Sequence, residues 1–215
     1  ITTSPSTQMI KLNEYLQSKQ NYDYFMEYLG NCLSSESLIF ASKIIVLNNV
    51  LKNIRNMDKT YIPDVDNLSD KMKEHTKSAH IYSIEFPYLD DIYSYYNELF
   101  TSHINSNDLN NSLTFENIKP VIYNIFYELY TNFISNDAPL QVNISYDAYS
   151  SIEYFFNDYK EKILNNDIES SVVNKLNNWD EIIVFWDIAL HEVYRLLRSA
   201  YGFGFQLYLM KEMSK

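Results

Sequence analysis

The stretch NCLSSESLIFASKIIVL, residues 31–47, decides the fold, because a short polar cluster runs directly into a dense apolar run. Serine ahead of an apolar run is a usual helix start, since its hydroxyl can accept a hydrogen bond from a free N–H group of the first turn. Glu36 in that turn suits the positive end of the helix dipole. The stretch predicts a helix over 34–54. The open question is whether residues 34–37 only cap it or also form the edge of a binding site.

The whole chain is predicted to be all-α. Three glycines and five prolines in 215 residues leave few breaks, and apolar residues recur with the 3.6-residue period of a helix. The segment LQVNISY at 140–146 comes closest to a strand, but Asn143 inside it and Pro139 before it favour a loop. Helices are expected near 8–19, 22–30, 34–54, 68–78, 88–104, 116–135, 145–165, 168–177, 180–198 and 203–213.

Composition narrows the class of protein. The formal net charge is −11 and no cluster of Lys and Arg is present, which disfavours binding to nucleic acid or to anionic lipid. No apolar run approaches the ~20 residues of a membrane span, and the N-terminus lacks the positive region of a signal peptide. The single cysteine, Cys32, argues for a reducing compartment and is predicted to be a small core residue. Because the chain begins with Ile1, we expect a piece of a longer or processed protein.

Motifs for catalysis and for metal binding are incomplete. The His-Glu pair at 191–192 is not followed by histidine at 195, as a zinc-binding helix requires. The acidic stretch 64–70 lacks the glycine and the spaced oxygen ligands of a calcium loop. Gly202 and Gly204 follow no strand, so a helix C-cap and turn fits them better than a phosphate cradle. We therefore expect neither an enzyme nor a metal site, and no cofactor.

Three sequence blocks in a particular order are more informative. They are KLNEYLQSKQNYDYFMEYLGNCLSSESLIFASKI at 11–44, LYTNFISNDAPLQVNIS at 129–145 and FWDIALHEVYRLLRSAYGFGF at 185–205. Together they resemble the regulator of G-protein signalling (RGS) domain family, and the middle block, with its Ala-Pro-x-x-Val-Asn pattern, is the most distinctive. The matching residues are Phe25, Tyr28, Leu29, Ser34, Glu36, Leu38, Phe40, Tyr130, Phe133, Ile134, Ala138, Pro139, Val142, Asn143, Ile144, Trp186, Asp187, Ala189, Val193, Tyr194, Leu196 and Leu197.

The resemblance implies a single RGS-like helical bundle over 1–215. Insertions are expected at 56–115, between the fourth and fifth family helices, and at 157–180. The segment 56–115 should fold as helices on the body, since aromatic residues such as Phe86 and Phe100 give it more apolar surface than a disordered segment carries. We also expect the first and last helices, 8–19 and 203–213, to pack together.

The resemblance also implies a function in signal transduction. RGS domains bind the switch regions of a heterotrimeric Gα subunit in its GTP or transition-state form and accelerate GTP hydrolysis. They donate no catalytic group, because Gα supplies its own Arg and Gln. The chain would therefore inhibit G-protein signalling as a GTPase-activating regulator rather than as an enzyme. We expect a cytoplasmic location, with recruitment to the inner face of the plasma membrane by parts outside this fragment, which shows no anchor of its own.

The contacts with Gα would come from three helix junctions. Three of the strongest polar contacts implied by the family are missing, since Ser37, Ala200 and Gly204 stand where the family has Asn, Asp and Arg. Tyr146 falls at a position that is often Ser in the family. Losing a hydrogen bond to a charged group costs ~1.5–3 kcal/mol, so these differences weaken the expected contacts. The predicted partner-binding residues are Glu36, Ser37, Asn143, Tyr146, Leu196, Ala200 and Gly204.

Other interpretations stay open at this stage. Glu36 can serve only the helix dipole, Asn143 only an Asx turn or a cap, and Leu196 only the core. The domain can also be an RGS-homology scaffold or docking module with weak or no GTPase activation, or an unrelated all-helical interaction domain. If the Gα interpretation is right, Glu36 and Asn143 face one surface although 107 positions separate them in sequence.

Overall fold

Every regular element in the described part of the chain is a helix. The computed structural model describes residues 11–62, 81, 85–106, 113–164, 176–212 and 214, and no strand occurs among them. The all-α prediction is therefore confirmed. The predicted helix 68–78 and most of the one at 168–177 lie outside the described residues. The helices are α1 (11–15), α2 (Lys19–Asn31), α3 (Ser35–Met57), α4 (Asp90–Ser106), α5 (Phe115–Phe133), α6 (Tyr146–Leu164), α7 (Trp179–Val184), α8 (Asp187–Ser199), a π-helix (Ala200–Phe205) and α9 (Gln206–Glu212).

Helix α3 is the centre of the bundle. Thirteen of its 23 residues are buried, and they occupy nearly all sides of the helix rather than one stripe. A helix that is apolar all round is stable only when neighbours surround it. Here α2, α4, α5, α7 and α8 all pack against α3.

By length and composition alone, α3 is also apolar enough to cross a membrane. However, 72% of its most apolar stretch is buried inside the bundle. The core helix of a globular bundle can have the same composition as a membrane span, so the composition of α3 is weak evidence that it crosses a membrane.

The start of α3 differs from the prediction in its detail. Ser34 occupies the N-cap position, but its side chain caps no N–H group of the first turn. Its hydroxyl instead lies 3.5 Å from the carbonyl oxygen of Leu29, at the end of α2. The polar cluster is therefore tied to the preceding helix rather than to the helix it begins.

The two ends of the described chain pack together, as expected. The Tyr15 ring lies 5.4 Å from the ring of Phe205 and 5.3 Å from that of Tyr201. The Tyr194 hydroxyl donates a hydrogen bond to Asn13 of α1. Edge-to-face and tilted aromatic pairs of this kind add stability beyond the area that they bury.

The described part of 56–115 also packs on the body. Tyr96 and Phe100 of α4 are buried, and Phe86 before it is fully buried with its ring 5.7 Å from that of Tyr22. The Tyr88 hydroxyl donates to the carbonyl oxygen of Leu16. The apolar residues of this segment thus contribute to the core.

Two features of the C-terminal helices were not predicted. The expected helix 180–198 is broken between α7 and α8, where the Trp186 ring is buried against Phe40 and Phe126. The predicted C-cap and turn at Gly202 and Gly204 is wrong, because α8 continues through the π-helix into α9. No described glycine has a positive φ, so neither can form the usual left-handed cap.

A buried carboxylate, that of Asp58, joins three helices at the C-terminal end of α3. Asp58 is 5% exposed and accepts four hydrogen bonds. The donors are the N–H and hydroxyl of Thr60 (2.8 and 2.6 Å), the N–H of Phe115 (3.0 Å) and the indole N–H of Trp179 (2.9 Å). We call Asp58, Thr60, Phe115 and Trp179 the Asp58 cluster. It holds together the end of α3, the start of α5 and the start of α7.

Replacing Asp58 with Asn should destabilise the fold by about 2–4 kcal/mol, because an amide turns one acceptor oxygen into a donor that faces other donors. The free energy of unfolding from denaturant titration measures the effect. The matched control is Asp137→Asn, the same chemical change at an exposed position, which should alter stability by less than about 0.5 kcal/mol. Equal effects of the two substitutions would show that the Asp58 cluster contributes nothing special.

The stability that Asp58 provides should depend on pH. Burial alone would raise the pKa of its carboxyl, but the hydrogen bonds from Thr60, Trp179 and Phe115 outweigh burial and hold the pKa below its ordinary value of 3.8. Because the pKa of Asp58 is lower in the folded than in the unfolded chain, its charge contributes fully to the free energy of unfolding above pH 3.8. This contribution is lost as the pH falls below 3.8 and through the pKa of the folded state. The difference in unfolding free energy between the native chain and Asp58→Asn should be constant from about pH 5 to 7 and shrink below about pH 4. A difference that stays constant down to about pH 2 would contradict the charge-based account.

Candidate functional site

The first junction connects α2 to α3. Helix α2 ends in a complete Schellman motif, in which the N–H of Leu33 donates to Gly30 O (3.2 Å) and the N–H of Ser34 donates to Leu29 O (3.0 Å). Leu33 takes the left-handed position of this motif, with φ of +54°. Glu36 is half-buried in the first turn of α3.

Cys32 was predicted to be a core residue, and that prediction is wrong. Its side chain is exposed, because Cys32 is the C-cap of α2 and its N–H group bonds back to the carbonyl oxygens of Tyr28 and Leu29. The chain leaves the helix at this residue and turns outward. Cys32 therefore lies at the surface of the first junction.

The second junction connects α5 to α6. The loop folds back on the end of α5, where Val142 N–H donates to Phe133 O (2.9 Å) and Leu140 N–H to Asn132 O (3.1 Å). The segment 140–146 is thus a loop up to the start of α6, as predicted. Asn143 in this loop is exposed.

The cap of α6 is Ser145 rather than Asn143. The Ser145 hydroxyl accepts a hydrogen bond from Ala148 N–H (3.3 Å), which is the usual N-cap contact. Asn143 makes no side-chain hydrogen bond to any residue that the structure describes. The capping role that was an alternative for Asn143 is therefore taken by another residue, and its amide points to solvent.

The third junction comprises the end of α8 and the π-helix. Leu196 and Ala200 are half-buried, whereas Phe203 is 75% exposed. A π-helix is rare and often marks a functional site, because its extra residue per turn redirects the side chains that follow.

Gly204 has a packing reason to be glycine. A Cβ atom built on it would lie 2.0 Å from the hydroxyl oxygen and 3.2 Å from Cζ of Tyr28. Burial, and then a hydrogen bond with the Cys32 side chain, raise the pKa of that hydroxyl above its ordinary value. The Tyr28 ring thus occupies the space that a side chain at 204 would need. The Arg that the family has at this position would have to displace the ring.

Direct contacts bring the three junctions to one end of the bundle. Phe40 lies one turn after Glu36, and its ring is 5.5 Å from the ring of Phe133. The carbonyl oxygen of Phe133 also accepts the hydrogen bond from Val142 that holds the loop of the second junction. The Tyr28 hydroxyl connects the first junction to the third.

A further contact connects the second junction to the third. Ser145 donates to the Glu192 carboxylate of α8 from its N–H (2.5 Å) and its hydroxyl (2.6 Å), one turn before Leu196. We call residues 31–37, 139–146 and 196–204 together the three-junction surface.

The predicted site residues differ in how far a partner could reach them. Asn143 is exposed and Tyr146 is 79% exposed. Ser37 is only 5% exposed, so little of its side chain is available to a partner. The remaining four, which are half-buried, are Glu36, Leu196, Ala200 and Gly204.

The first two junctions are acidic. Glu36 lies in the first, Asp137 and Asp147 lie in or beside the second, and the stretches 31–37 and 134–147 contain no Lys or Arg. A partner that covers them must bring positive charge or leave these carboxylates in water, because unpaired charges are costly to bury.

One cleft in the described part of the chain is small. A cleft between Ile81 and α8 has a volume of about 20 Å³, which is enough for one water. No group of three His, Cys, Asp or Glu side chains that could hold a metal ion occurs among the residues described.

Comparison of the chain with protein-family models, with curated proteins and with solved structures finds no match in any of the three. The likeness to RGS domains remains the one carried by the three sequence blocks.

Replacing Gly204 with Ala should cost about 1–3 kcal/mol of stability, because the added methyl group forces the Tyr28 ring out of its position. The matched control is Gly30→Ala in α2, where nothing lies within 4 Å of the added carbon. That change should stabilise the fold by about 0.5–1 kcal/mol, since alanine is the better helix former. Thermal unfolding of both variants gives the comparison. A Gly204→Ala variant as stable as Gly30→Ala would contradict the close contact with Tyr28.

Proposed function

We propose that this chain binds an activated heterotrimeric Gα subunit through the three-junction surface and accelerates GTP hydrolysis in the manner of an RGS domain. The observation that carries the proposal is the meeting of three sequence-distant junctions at one end of a helical bundle. These are the same three segments in which the sequence resembles the family. An accidental resemblance gives no reason for its three blocks to come together in space.

The properties of the surface also support this proposal. It is made from helix ends and a short loop, which are held by backbone hydrogen bonds and by the side-chain hydrogen bond from Ser145 to Glu192. No catalytic group is needed from it, because Gα supplies its own.

Under the proposal, the surface stabilises the Gα switch segments in the conformation that hydrolyses GTP. Catalysis follows from binding the transition-state arrangement more tightly than the ground state. Among the predicted partner-binding residues, Asn143 and Glu36 are the polar ones that retain the family pattern. The exposed amide of Asn143 can donate and accept hydrogen bonds, and the Glu36 carboxylate can accept them.

A second function of the same surface is docking without activation. Ser37 is buried, and Ala200 and Gly204 carry no charge, so three polar contacts of the family pattern are missing. A surface with fewer polar contacts can still bind Gα but discriminate less between its GTP-bound and transition-state forms. Such a domain would recruit Gα with weak or no effect on hydrolysis.

Single-turnover GTP hydrolysis by purified Gα subunits, one from each major class, with and without this chain, tests the proposal. Acceleration by the chain supports a GTPase-activating domain. Binding to Gα loaded with GDP and aluminium fluoride without acceleration supports the docking function. No binding to any class in any nucleotide state would contradict both.

Alanine substitutions at Asn143 and Glu36 should each weaken binding to transition-state-loaded Gα by ~1–3 kcal/mol, since each removes a partner from a desolvated contact. The matched controls are Asn97→Ala and Glu98→Ala, two exposed residues of α4 outside the three-junction surface. The controls should leave affinity unchanged. Melting temperatures of all four variants separate an effect on binding from an effect on the fold. If Asn143→Ala unfolds the domain or leaves affinity unchanged, its proposed role is wrong.

A further inference from the structure

The continuous helix that runs through α8, the π-helix and α9, residues 187–212, exposes large apolar side chains along one side. Phe203 is 75% exposed, Met210 66%, Ile188 55% and Leu207 46%. Phe203, Leu207 and Met210 are spaced by four and then three residues, so their side chains lie one above another. The fold gains little from apolar residues that remain in water, and a row of them indicates a contact with something outside the chain.

The π-helix extends this row along the exposed side of α8. The exposed positions of α8 include 188, 191, 195 and 199, and an uninterrupted α-helix would continue them at about 202, 206 and 209. A π-helix adds an extra residue to its turn. The exposed positions that follow are therefore 203, 207 and 210, whereas Gln206 and Leu209 are half-buried. The π-helix thus turns three apolar residues outward into one line with Ile188.

Two cations lie in the same line. Arg195 of α8 and Lys211 of α9 are exposed, and neither forms an ion pair with a carboxylate among the described residues. Arg195 lies two turns after Ile188, and Lys211 lies one turn after Leu207. We call this set the C-terminal stripe, whose members are Ile188, Arg195, Phe203, Leu207, Met210 and Lys211.

The carboxylates of this helix are half-buried or turned away from the stripe. Asp187 and Glu192 are half-buried, and Glu192 accepts two hydrogen bonds from Ser145. Glu212 is exposed but lies about half a turn round the helix from Met210. Residues 193–215 contain four Lys or Arg and one Glu, a net charge of +3, whereas the rest of the chain contains 13 Lys or Arg and 27 Asp or Glu, a net charge of −14. The stripe is therefore a basic and apolar line on an acidic protein.

We propose that the C-terminal stripe binds the anionic surface of a lipid membrane, with the helix lying in the plane of the interface. The apolar side chains enter the boundary between headgroups and acyl chains, and Arg195 and Lys211 contact the phosphates and carboxylates of the headgroups. Apolar residues combined with Lys and Arg on a helix are the usual composition of such an interfacial element. This inference goes beyond the proposed function and does not depend on it. Because Phe203 also belongs to the three-junction surface, the tests use other members of the stripe.

The shape and the charge of the stripe favour a membrane over a second copy of the chain. The stripe follows one helix for about 35 Å, and a plane covers such a line without a complementary groove. A two-fold pair formed through the stripe is disfavoured, because the stripe contains cations and no carboxylate, so that cations would face cations.

The acidic remainder of the chain does not prevent this contact. At physiological salt, exposed charges separated by more than about 8 Å are largely screened from each other. Carboxylates on other faces of the bundle therefore repel an anionic surface less than the stripe attracts it. The whole-chain charge of −11, which disfavours binding to anionic lipid, does not describe this face.

Sedimentation of the full chain with lipid vesicles tests the inference. The chain should bind vesicles of phosphatidylcholine that contain about 30% phosphatidylserine, and it should bind pure phosphatidylcholine vesicles at least about tenfold more weakly. Raising the salt concentration to about 0.5 M should weaken binding to the anionic vesicles, because the cations act through their charge.

Substitution of the apolar members tests insertion. Leu207→Gln combined with Met210→Gln should weaken binding to the anionic vesicles at least about tenfold, because two apolar side chains no longer enter the interface. The matched control is Met57→Gln combined with Ile62→Gln, two residues that are 62% and 83% exposed at and after the end of α3. The control should leave binding unchanged.

Substitution of a cation tests the charge. Lys211→Gln should weaken binding to the anionic vesicles about three- to fivefold. The matched control is Lys59→Gln, the same change at an exposed lysine outside the stripe, which should have no effect. Melting temperatures of all variants separate loss of binding from loss of the fold.

Each outcome decides for or against the inference. Weaker vesicle binding by the stripe variants alone, at unchanged melting temperature, supports it. No binding of the native chain to anionic vesicles at low salt would overturn it, as would full binding by the stripe variants, since another surface would then hold the lipid. A concentration-dependent dimer of the native chain that Leu207→Gln with Met210→Gln abolishes would show a second copy on the stripe and would also overturn it.

Discussion

The Asp58 carboxylate is the constraint on which the arrangement of this bundle depends. Its oxygens accept hydrogen bonds from residues near the ends of three helices, and two of the donors lie 57 and 121 positions away in sequence. Helix α3 ends here, while α5 and α7 begin here. A buried carboxylate is stable only when its lone pairs are satisfied, so the three helix ends must remain together.

This constraint also determines what happens at the other end of the bundle. Because α5 starts at the Asp58 cluster, its end lies at the opposite side, near the start of α3. The α7–α8 pair also starts at this end, where Asp180 of α7 forms an ion pair with Arg55 of α3 (3.4 Å). From there the pair runs antiparallel to α3, toward the π-helix. The three junctions are therefore neighbours as a consequence of helix direction. Contacts such as Phe40 with Phe133 fix their relative positions.

The part of the chain between Thr60 and Phe115 leaves and returns at the Asp58 cluster. Thr60 precedes the part of 56–115 that includes α4, Phe115 follows it, and Trp179 follows the segment after α6. Closing a loop costs chain entropy that grows only slowly with its length. A long segment between Thr60 and Phe115 therefore adds little entropic cost once both of its ends are held at the Asp58 cluster.

Much of the fold could be predicted from the sequence, since helical periodicity is a local signal. The central helix at 34–54, the loop at 140–146 and the contact between the chain ends all follow from apolar spacing and from glycine and proline placement. The Asp58 cluster could not be found in this way. Asp58 falls in a stretch that is polar in composition, and its burial depends on partners brought from Phe115 and Trp179 by tertiary packing.

The details of the junctions were the hardest to predict. The helix expected near 22–30 extends to Asn31, and the left-handed residue after it is Leu33, against its intrinsic preference. Gly204 was predicted to belong to a helix cap, yet its missing side chain leaves the space that the Tyr28 hydroxyl occupies. In each case a tertiary requirement overrides local propensity, and conflicts of this kind concentrate at sites with functional roles. The π-helix at Ala200–Phe205, on which Phe203 is exposed, was not predicted from the sequence.

The central claim is that one partner covers all three junctions at once. Amide hydrogen exchange of the chain, alone and with Gα loaded with GDP and aluminium fluoride, measures this directly, because each junction has its own set of amide groups. The account predicts slower exchange in 31–37, 139–146 and 196–204 together, with no change in α4. Protection confined to one junction, or centred on α4, would contradict it.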